Sequence, residues 1–457
     1  MASTTARQPT IAFEPDAAVR GLPPGPRIPP ALQTILWAAA PTWLMNHCAK
    51  RLGDAFTLNL GLGGPTLVMV SDPRAVKMLF TASADVAPKA AETSPVARIM
   101  GASSVLVSTG PAHMRQRKLL LPAFHGERIR QHEQVMEDAA RRNMAGWSLG
   151  KPVRALPPMR AITLDVILRA VFGVEAERMG PLKQAIDEVI DPLHLGTVLR
   201  MLSSPPSGER PPGSLGRALD RLDTMIYAEI EHRRAQSDLE SRADIMSLLL
   251  LARDDEGVGL TDEELRNELV TQLLAGHETA ATSLAWALER LVRNPQALRR
   301  LIDEVDAQPD GGDEYLTAVI NESMRVRPVA PVVFRMLKQE LQVGRYLLPA
   351  DTLTVASVYL TNRSADVYED PLAFKPERFL ESGPETFSWI PFGGGIRRCI
   401  GATFAQLEMK VILRTILSEL EPRAPDGWRG RRDELTRRPK LILVPSRGAT
   451  VVWRRRA

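Results

Sequence analysis

Cys399 stands in the stretch FGGGIRRCIG, residues 392–401, with Gly393, Gly394 and Gly395 before it, Arg397 and Arg398 beside it and Gly401 two places on. It is one of only two cysteines in the chain, the other being Cys48. A cysteine becomes chemically useful as a thiolate, and cationic neighbours and a helix N-terminus both favour that form. The segment after it, ATFAQLEMKVILRTILSEL, has apolar residues at helical spacing (Phe404, Leu407, Val411) and predicts a helix that begins at the cysteine. Glycine at 393, 394, 395 and 401 permits backbone angles closed to other residues and lets another group approach the main chain. A buried structural thiol needs neither the glycine nor the charge. A nucleophile needs a histidine base and an oxyanion hole; none is near in sequence, though the fold can bring one. A thiolate metal ligand fits best. The seven scattered histidines offer no zinc spacing, whereas a haem iron asks for a single axial protein ligand, which a cysteine can supply.

Three further groupings carry chemistry. AGHETA, residues 275–280, puts a glycine and a Glu278-Thr279 pair inside a long helical pattern. A threonine there can bond back to its own helix and bend it. His277-Glu278 also opens the zinc-protease pattern H-E-x-x-H, but position 281 is alanine, which ends that reading. ESMR, residues 322–325, spaces Glu322 and Arg325 for pairing on one helix face. GPAHMRQRKLLLPAF, residues 110–124, is a basic amphipathic segment holding His113, Arg115, Arg117 and Lys118.

Phe392, Gly395, Arg397, Cys399 and Gly401 match the pattern F-x-x-G-x-R-x-C-x-G, and on this the chain resembles the cytochrome P450 haem-thiolate monooxygenases. The resemblance implies haem b as cofactor, with Cys399 on the iron, Phe392, Gly393 and Gly401 shaping the loop beneath the porphyrin, and Arg397 facing a propionate. AGHETA resembles the family's A-G-x-E-T motif. That implies a helix opened at Gly276 over the distal haem face, with Ala275, Gly276 and Ala280 leaving room for oxygen. Thr279 is then the oxygen-side hydroxyl and Glu278 the proton-feeding acid; Ala280 stands where the family often has Thr or Ser. ESMR resembles E-x-x-R, whose partner lies in a later P-E-R-F, here residues 376–379, so Glu322, Arg325 and Arg378 are expected to lock the core. His113 and Arg117 resemble the haem-contacting W-x-x-x-R with histidine for tryptophan, and Arg335 falls where the family has a second propionate-binding arginine. The implied activity is insertion of one oxygen atom from O2 into a lipophilic small molecule, with electrons from an acidic ferredoxin-type donor and its reductase. Other haem chemistry (coupling, dehydration, peroxide use) and a non-catalytic haem sensor or carrier are the alternatives. Pocket residues are expected from about 85–108, 172–205, 272–283 and 329–334, and a basic docking face from Arg115, Lys118 and Arg398.

These residues need elements to hold them. TDEELRNEL is a capping box, Thr261 with Glu264, and no proline follows before Pro295, so one very long helix is expected to carry 275–280. AFTLNLGLGGPTLVMVSDP reads as two strands joined by a glycine turn, with Asp72-Pro73 starting a helix. ELQVGRYLLPADTLTVASVYL is a small β region, and NRSADVYEDPLAFKPERFL is irregular. The expected fold is mainly α with a minor antiparallel β region, a single-domain cytochrome P450 fold over 29–457 behind a flexible, proline-rich lead-in, 1–28.

The totals agree. The 457 residues are 44% hydrophobic and 25% charged, with net charge +4 and only 5% aromatics. Arginine runs without interleaved aromatics argue against nucleic acid. The most apolar early stretch, Ile35 to Met45, is broken by Pro41 and far shorter than the ~20 residues of a membrane span. No secretory signal opens the chain. A monomeric, cytoplasmic protein without a membrane anchor is expected.

Overall fold

The computed structural model describes residues 18–61, 63–87, 97–173, 176–193, 197, 210–307, 312–427, 433–438 and 442–456. Its centre is the long helix Asp262–Arg293, 32 residues and therefore about 48 Å at ~1.5 Å per residue. Its start is set by the expected capping box: the Glu264 N–H donates to Thr261 Oγ1 at 3.2 Å and the Thr261 N–H donates to Glu264 Oε2 at 2.9 Å. Asp262, Glu263 and Glu264 in the first turn and Arg290 and Arg293 in the last complement the helix dipole. Pro295 begins the next helix, Pro295–Ala307. The Asn294 side chain does not serve as its cap; it donates back to the Arg290 carbonyl at 2.7 Å.

The long helix is buried over most of its length because three others pack on it: Leu156–Phe172, Glu314–Val326 and Ala402–Glu419. Their apolar faces share one large core that includes Ile167, Leu269, Leu273, Val319, Phe404 and Ile412. A four-stranded sheet lies apart from this core. Ala55–Asn59 pairs antiparallel with Thr66–Val70, which runs parallel to Leu353–Ala356, itself antiparallel to the edge strand Val333–Met336. On that edge strand Phe334 is exposed and Arg335 is buried, opposite Thr354. Asp72 caps the helix Pro73–Thr81 by accepting from the Arg74 and Ala75 N–H groups.

The described part of the lead-in is fastened to the rest of the protein. Residues 1–17 lie outside the described residues, but Val19–Arg20 pairs parallel with Tyr346–Leu348, and the Thr57 N–H and hydroxyl donate to the Pro24 and Pro23 carbonyls. Its second half is therefore fastened to the sheets, through backbone bonds that its proline-rich composition does not reveal.

Candidate functional site

Cys399 sits at the end of a tight loop, just before the helix Ala402–Glu419. The Cys399 N–H donates to the Phe392 carbonyl at 2.9 Å, and the Arg398 N–H to the Gly395 carbonyl at 3.0 Å, closing the loop on itself. Gly393 and Gly395 have positive φ, 67° and 65°, where a side chain would be strained. The close approach expected at these glycines comes from the protein: a Cβ on Gly394 would strike the Phe80 ring, and one on Gly395 the Phe80 carbonyl. Gly401 has neither feature; its φ is −80° and a Cβ there would meet nothing. Phe392 packs edge-on against Trp389 at 6.0 Å.

The thiol is exposed on one side and crowded by protein on the others. Desolvation raises its pKa, and the opposing pull of the Gly401 N–H and of Arg398 and Arg117 does not overcome it. In the metal-free protein burial outweighs these favourable contributions. A bound metal cation reverses the balance, because coordination displaces the thiol proton. Arg397 plays no part at the sulfur. Its guanidinium donates to the Leu106 carbonyl at 3.1 Å and to the Ser108 carbonyl. Arg117 instead lies beside the cysteine and donates to the Arg398 carbonyl at 2.8 Å.

Arg335, Arg397 and His113 come together from three distant parts of the chain. His113 is 2% exposed; burial, then Arg397, Arg117 and Arg335, push it down to about 4, so it is neutral at physiological pH. Burial also lowers Arg335 and Arg397 to about 10. The Arg335 guanidinium donates to the Phe334 carbonyl at 2.9 Å and lies 5.3 Å over the Phe80 ring. Among the described residues no carboxylate pairs with either arginine. Desolvated cations without counter-ions are costly. The cluster is suited to a ligand that brings its own carboxylates.

On the long helix, Ala275 is exposed and Thr279 half-buried amid mostly buried neighbours. The Thr279 hydroxyl donates to the Ala275 carbonyl at 2.8 Å. The back-bond expected of this threonine is present. A Cβ on Gly276 would meet the Cδ1 end of Ile167 on the helix Leu156–Phe172, which would have to shift. Ala280 is buried. Glu278 turns to the same neighbouring helix, where Arg160 donates to its Oε2 at 3.0 Å through Nε and 2.9 Å through Nη2.

Glu322 and Arg325 are fully buried and paired at 2.7 and 2.8 Å, and Arg378 reaches Glu322 at 3.2 Å. Arg325 also donates to the Asn362, Pro371 and Ala373 carbonyls, and the Lys375 N–H donates to Glu322. The set ties a helix to the irregular segment 362–378 and touches no reactive group named above.

Sequence reasoning missed Arg160 and Phe80, which carry no motif. The segment 103–108 falls in the expected pocket stretch 85–108, but its role as a bridge between the long helix and the cysteine loop was not read from the sequence. The Val105 N–H donates to Glu268 at 2.6 Å, Ser104 shares a bond with Thr271 at 2.6 Å, and the Leu106 and Ser108 carbonyls hold Arg397. Thr271, Ala275 and Thr279 follow at four-residue intervals on one face, so this segment sets the Thr279 face relative to the loop. Of the expected pocket segments, 88–96, 174–175, 194–196 and 198–205 lie outside the described residues. A cleft of about 1060 Å³ at the far end of the long helix, lined by Arg290, Arg293, Leu372 and Arg423 among others, contains none of these groups.

Residues 23–451 match the family model described as Cytochrome P450. The chain belongs to the cytochrome P450 family. Cytochrome P450 135B1 of Mycobacterium tuberculosis is 38% identical, over 94% of this chain and 91% of the relative. Cytochrome P450 137 of the same organism is 39% identical, over 96% and 92%. Among solved structures, the haem domain of cytochrome P450DA superposes with TM-score 0.83 at 23% identity, over 96% of this chain and 98% of that one. A cyanobacterial cytochrome P450 with retinoic acid bound gives 0.81 at 24% identity, over 95% and 99%; these two speak for the fold.

This P450 is thus a monooxygenase, an oxidoreductase whose cofactor is haem b. Its residues fit that group: two buried guanidinium groups and a neutral imidazole suit a macrocycle with two propionates, and an exposed thiol suits an axial ligand. No helix among the described residues is long and apolar enough to cross a membrane.

Proposed function

We propose that this P450 hydroxylates a C–H bond, or epoxidises a C=C bond, of a lipophilic small molecule. Residues 29–457 act as one catalytic unit, as a cytoplasmic monomer. The observation that carries the reading is the Glu278-Thr279 pair on the long helix, with Thr279 on the stripe that exposes Ala275. Bound haem supplies the reductive activation of O2, and the protein supplies position, shielding and protons. Cys399 would ligate the iron, in a loop closed on the Phe392 carbonyl and turned at Gly393, with Gly401 at the start of the helix after it. Arg335, Arg397 and His113 would hold the propionates, with Arg117 beside the sulfur. Thr279 accepts a hydrogen bond at its free lone pairs while its own proton rests on the Ala275 carbonyl. Glu278, held by Arg160, takes protons from the solvent side. Leu106, Phe334 and Ala275 expose apolar surface, which suits a lipophile.

Electrons come from a separate acidic ferredoxin-type donor that meets the cysteine side. The basic face is narrower than its sequence implies. Arg115 is paired with Asp254 and Glu264, at 2.6 and 2.9 Å, and Lys118 with Asp255 at 2.7 Å. Arg398 remains exposed. Rim charges act mainly on association rate and are screened by salt, so Arg398→Glu should slow electron transfer at low ionic strength, and Lys118→Glu much less.

The test is turnover with ferredoxin, ferredoxin reductase and a panel of lipophiles under isotopically labelled dioxygen. The reading expects products carrying one labelled oxygen atom. Products without label would point to coupling or dehydration and overturn it.

A further inference from the structure

Glu268, Gln272, Ala275 and Thr279 follow one another at four, three and four residues along the long helix. At about 100° per residue all four fall within about 60° of arc, on one stripe. Two of them hold polar atoms with nothing to bond. Both Oε1 and Nε2 of Gln272 are buried without a hydrogen-bond partner, and so is Oε2 of Glu268. A buried unpaired polar group costs about 1–3 kcal/mol, and native proteins keep few of them without a reason. The surrounding polar groups offer no relief. The Thr271 hydroxyl donates to the Asn267 carbonyl and meets Ser104. Arg266 is taken by Asp223 and Asn267, and Asn267 by Ser103. Gln272 itself is half-buried, on the stripe that exposes Ala275. Burial raises Glu268 to about 8; at neutral pH it keeps its proton and can donate as well as accept.

We propose that Gln272, backed by Glu268, is the hydrogen-bonding anchor for an uncharged hydroxyl or carbonyl group of the substrate. This rests on the monooxygenase reading above and narrows its substrate class. Gln272 stands seven residues before Thr279, about 10 Å along the axis at ~1.5 Å per residue. The substrate is then an elongated lipophile whose polar group lies about 10 Å from the carbon that is oxidised. An anionic group is not the match, because the nearest cation on this helix, Arg266, is already ion-paired with Asp223, its Nε donating at 2.7 Å and its Nη2 lying 2.5 Å from the same oxygen without a hydrogen bond.

The experiment titrates the haem-loaded protein with dodecanol, dodecane and dodecanoate, reading the substrate-induced shift of the haem absorption band. Wild type should bind dodecanol about tenfold more tightly than dodecane, a difference of about 1.4 kcal/mol. Gln272→Leu should bring dodecanol down to the dodecane affinity and leave dodecane unchanged or tighter. The same substitution should hold or raise the melting temperature, since it removes an unpaired buried group. Equal loss of both ligands together with a lowered melting temperature would make Gln272 a packing residue and overturn the proposal. Tighter binding of dodecanoate than of dodecanol would overturn the choice of an uncharged group. A separate aliquot of each sample is reduced under carbon monoxide. Wild type that shows the thiolate-type red-shifted band but no preference for dodecanol overturns the anchor alone; wild type that lacks the band overturns the monooxygenase reading beneath it.

Discussion

Thr279 commits its proton to the Ala275 carbonyl and keeps its lone pairs for whatever faces that stretch of helix. Removing the hydroxyl deletes one side chain–backbone bond in a long helix, a small loss of stability. It also deletes the nearest group able to pass a proton on that face. Thr279→Ala should therefore bind haem and substrate normally and consume reducing equivalents, yet yield severalfold less product per electron, the difference leaving as hydrogen peroxide. An unchanged ratio of product to electrons would remove Thr279 from the relay. Glu268 makes a different prediction at this scale. Burial first, and Glu264 second, raise its carboxyl from 4.5 to about 8, against the pull of the Val105 N–H. The folded state holds a proton there that the unfolded state has lost. Its contribution is whole below about pH 4.5 and shrinks by about 1.4 kcal/mol per pH unit until about pH 8. Glu268→Gln keeps an acceptor for Val105 without the titration. Its melting temperature should match wild type near pH 5 and exceed it near pH 8; parallel pH curves would refute the assignment.

At the scale of elements, Glu322, Arg325 and Arg378 fasten the helix Glu314–Val326 to the segment 362–378. All five N–H groups of Arg325 have acceptors, two of them carboxylate oxygens of Glu322. Glu322→Ala leaves two arginines facing a void, at a cost of about 3–5 kcal/mol. The yield of soluble, haem-loaded protein should collapse; a well-folded variant with normal turnover would contradict this. Gly276→Leu should fail for a separate reason, because its side chain would be driven into Ile167. Overpacking of that kind costs about 1–3 kcal/mol, and denaturant titration reads it directly. Such elements differ in how far sequence reveals them. The capping box at Thr261, the Asp72 cap and the Glu322–Arg325 spacing are written in residues a few places apart, and each is present. Glycine at 276 signals only that something can come close; that Ile167 lies beside it depends on how two helices cross. The Arg160–Glu278 pair, 118 residues apart, is hidden for the same reason.

Across the whole molecule, the mainly helical architecture with small sheets was legible from periodicity and turn residues, and the family from the cysteine loop. The gathering of His113, Arg335 and Arg397 was reachable only through resemblance, since nothing local marks two distant cations and an imidazole as neighbours. Charge was the least legible property. Arg115 and Lys118 read as a docking face, but the loop at 254–255 brings carboxylates over them. The account turns on Cys399. Burial raises its thiol in the metal-free protein, and coordination to a metal cation would displace the thiol proton. The most direct test is the spectrum of reduced, haem-loaded protein under carbon monoxide, for wild type, Cys399→Ser and Cys399→His. Wild type should show the strongly red-shifted band of a thiolate ligand, and both variants should lose it. A variant that keeps the band would show that another group ligates the iron.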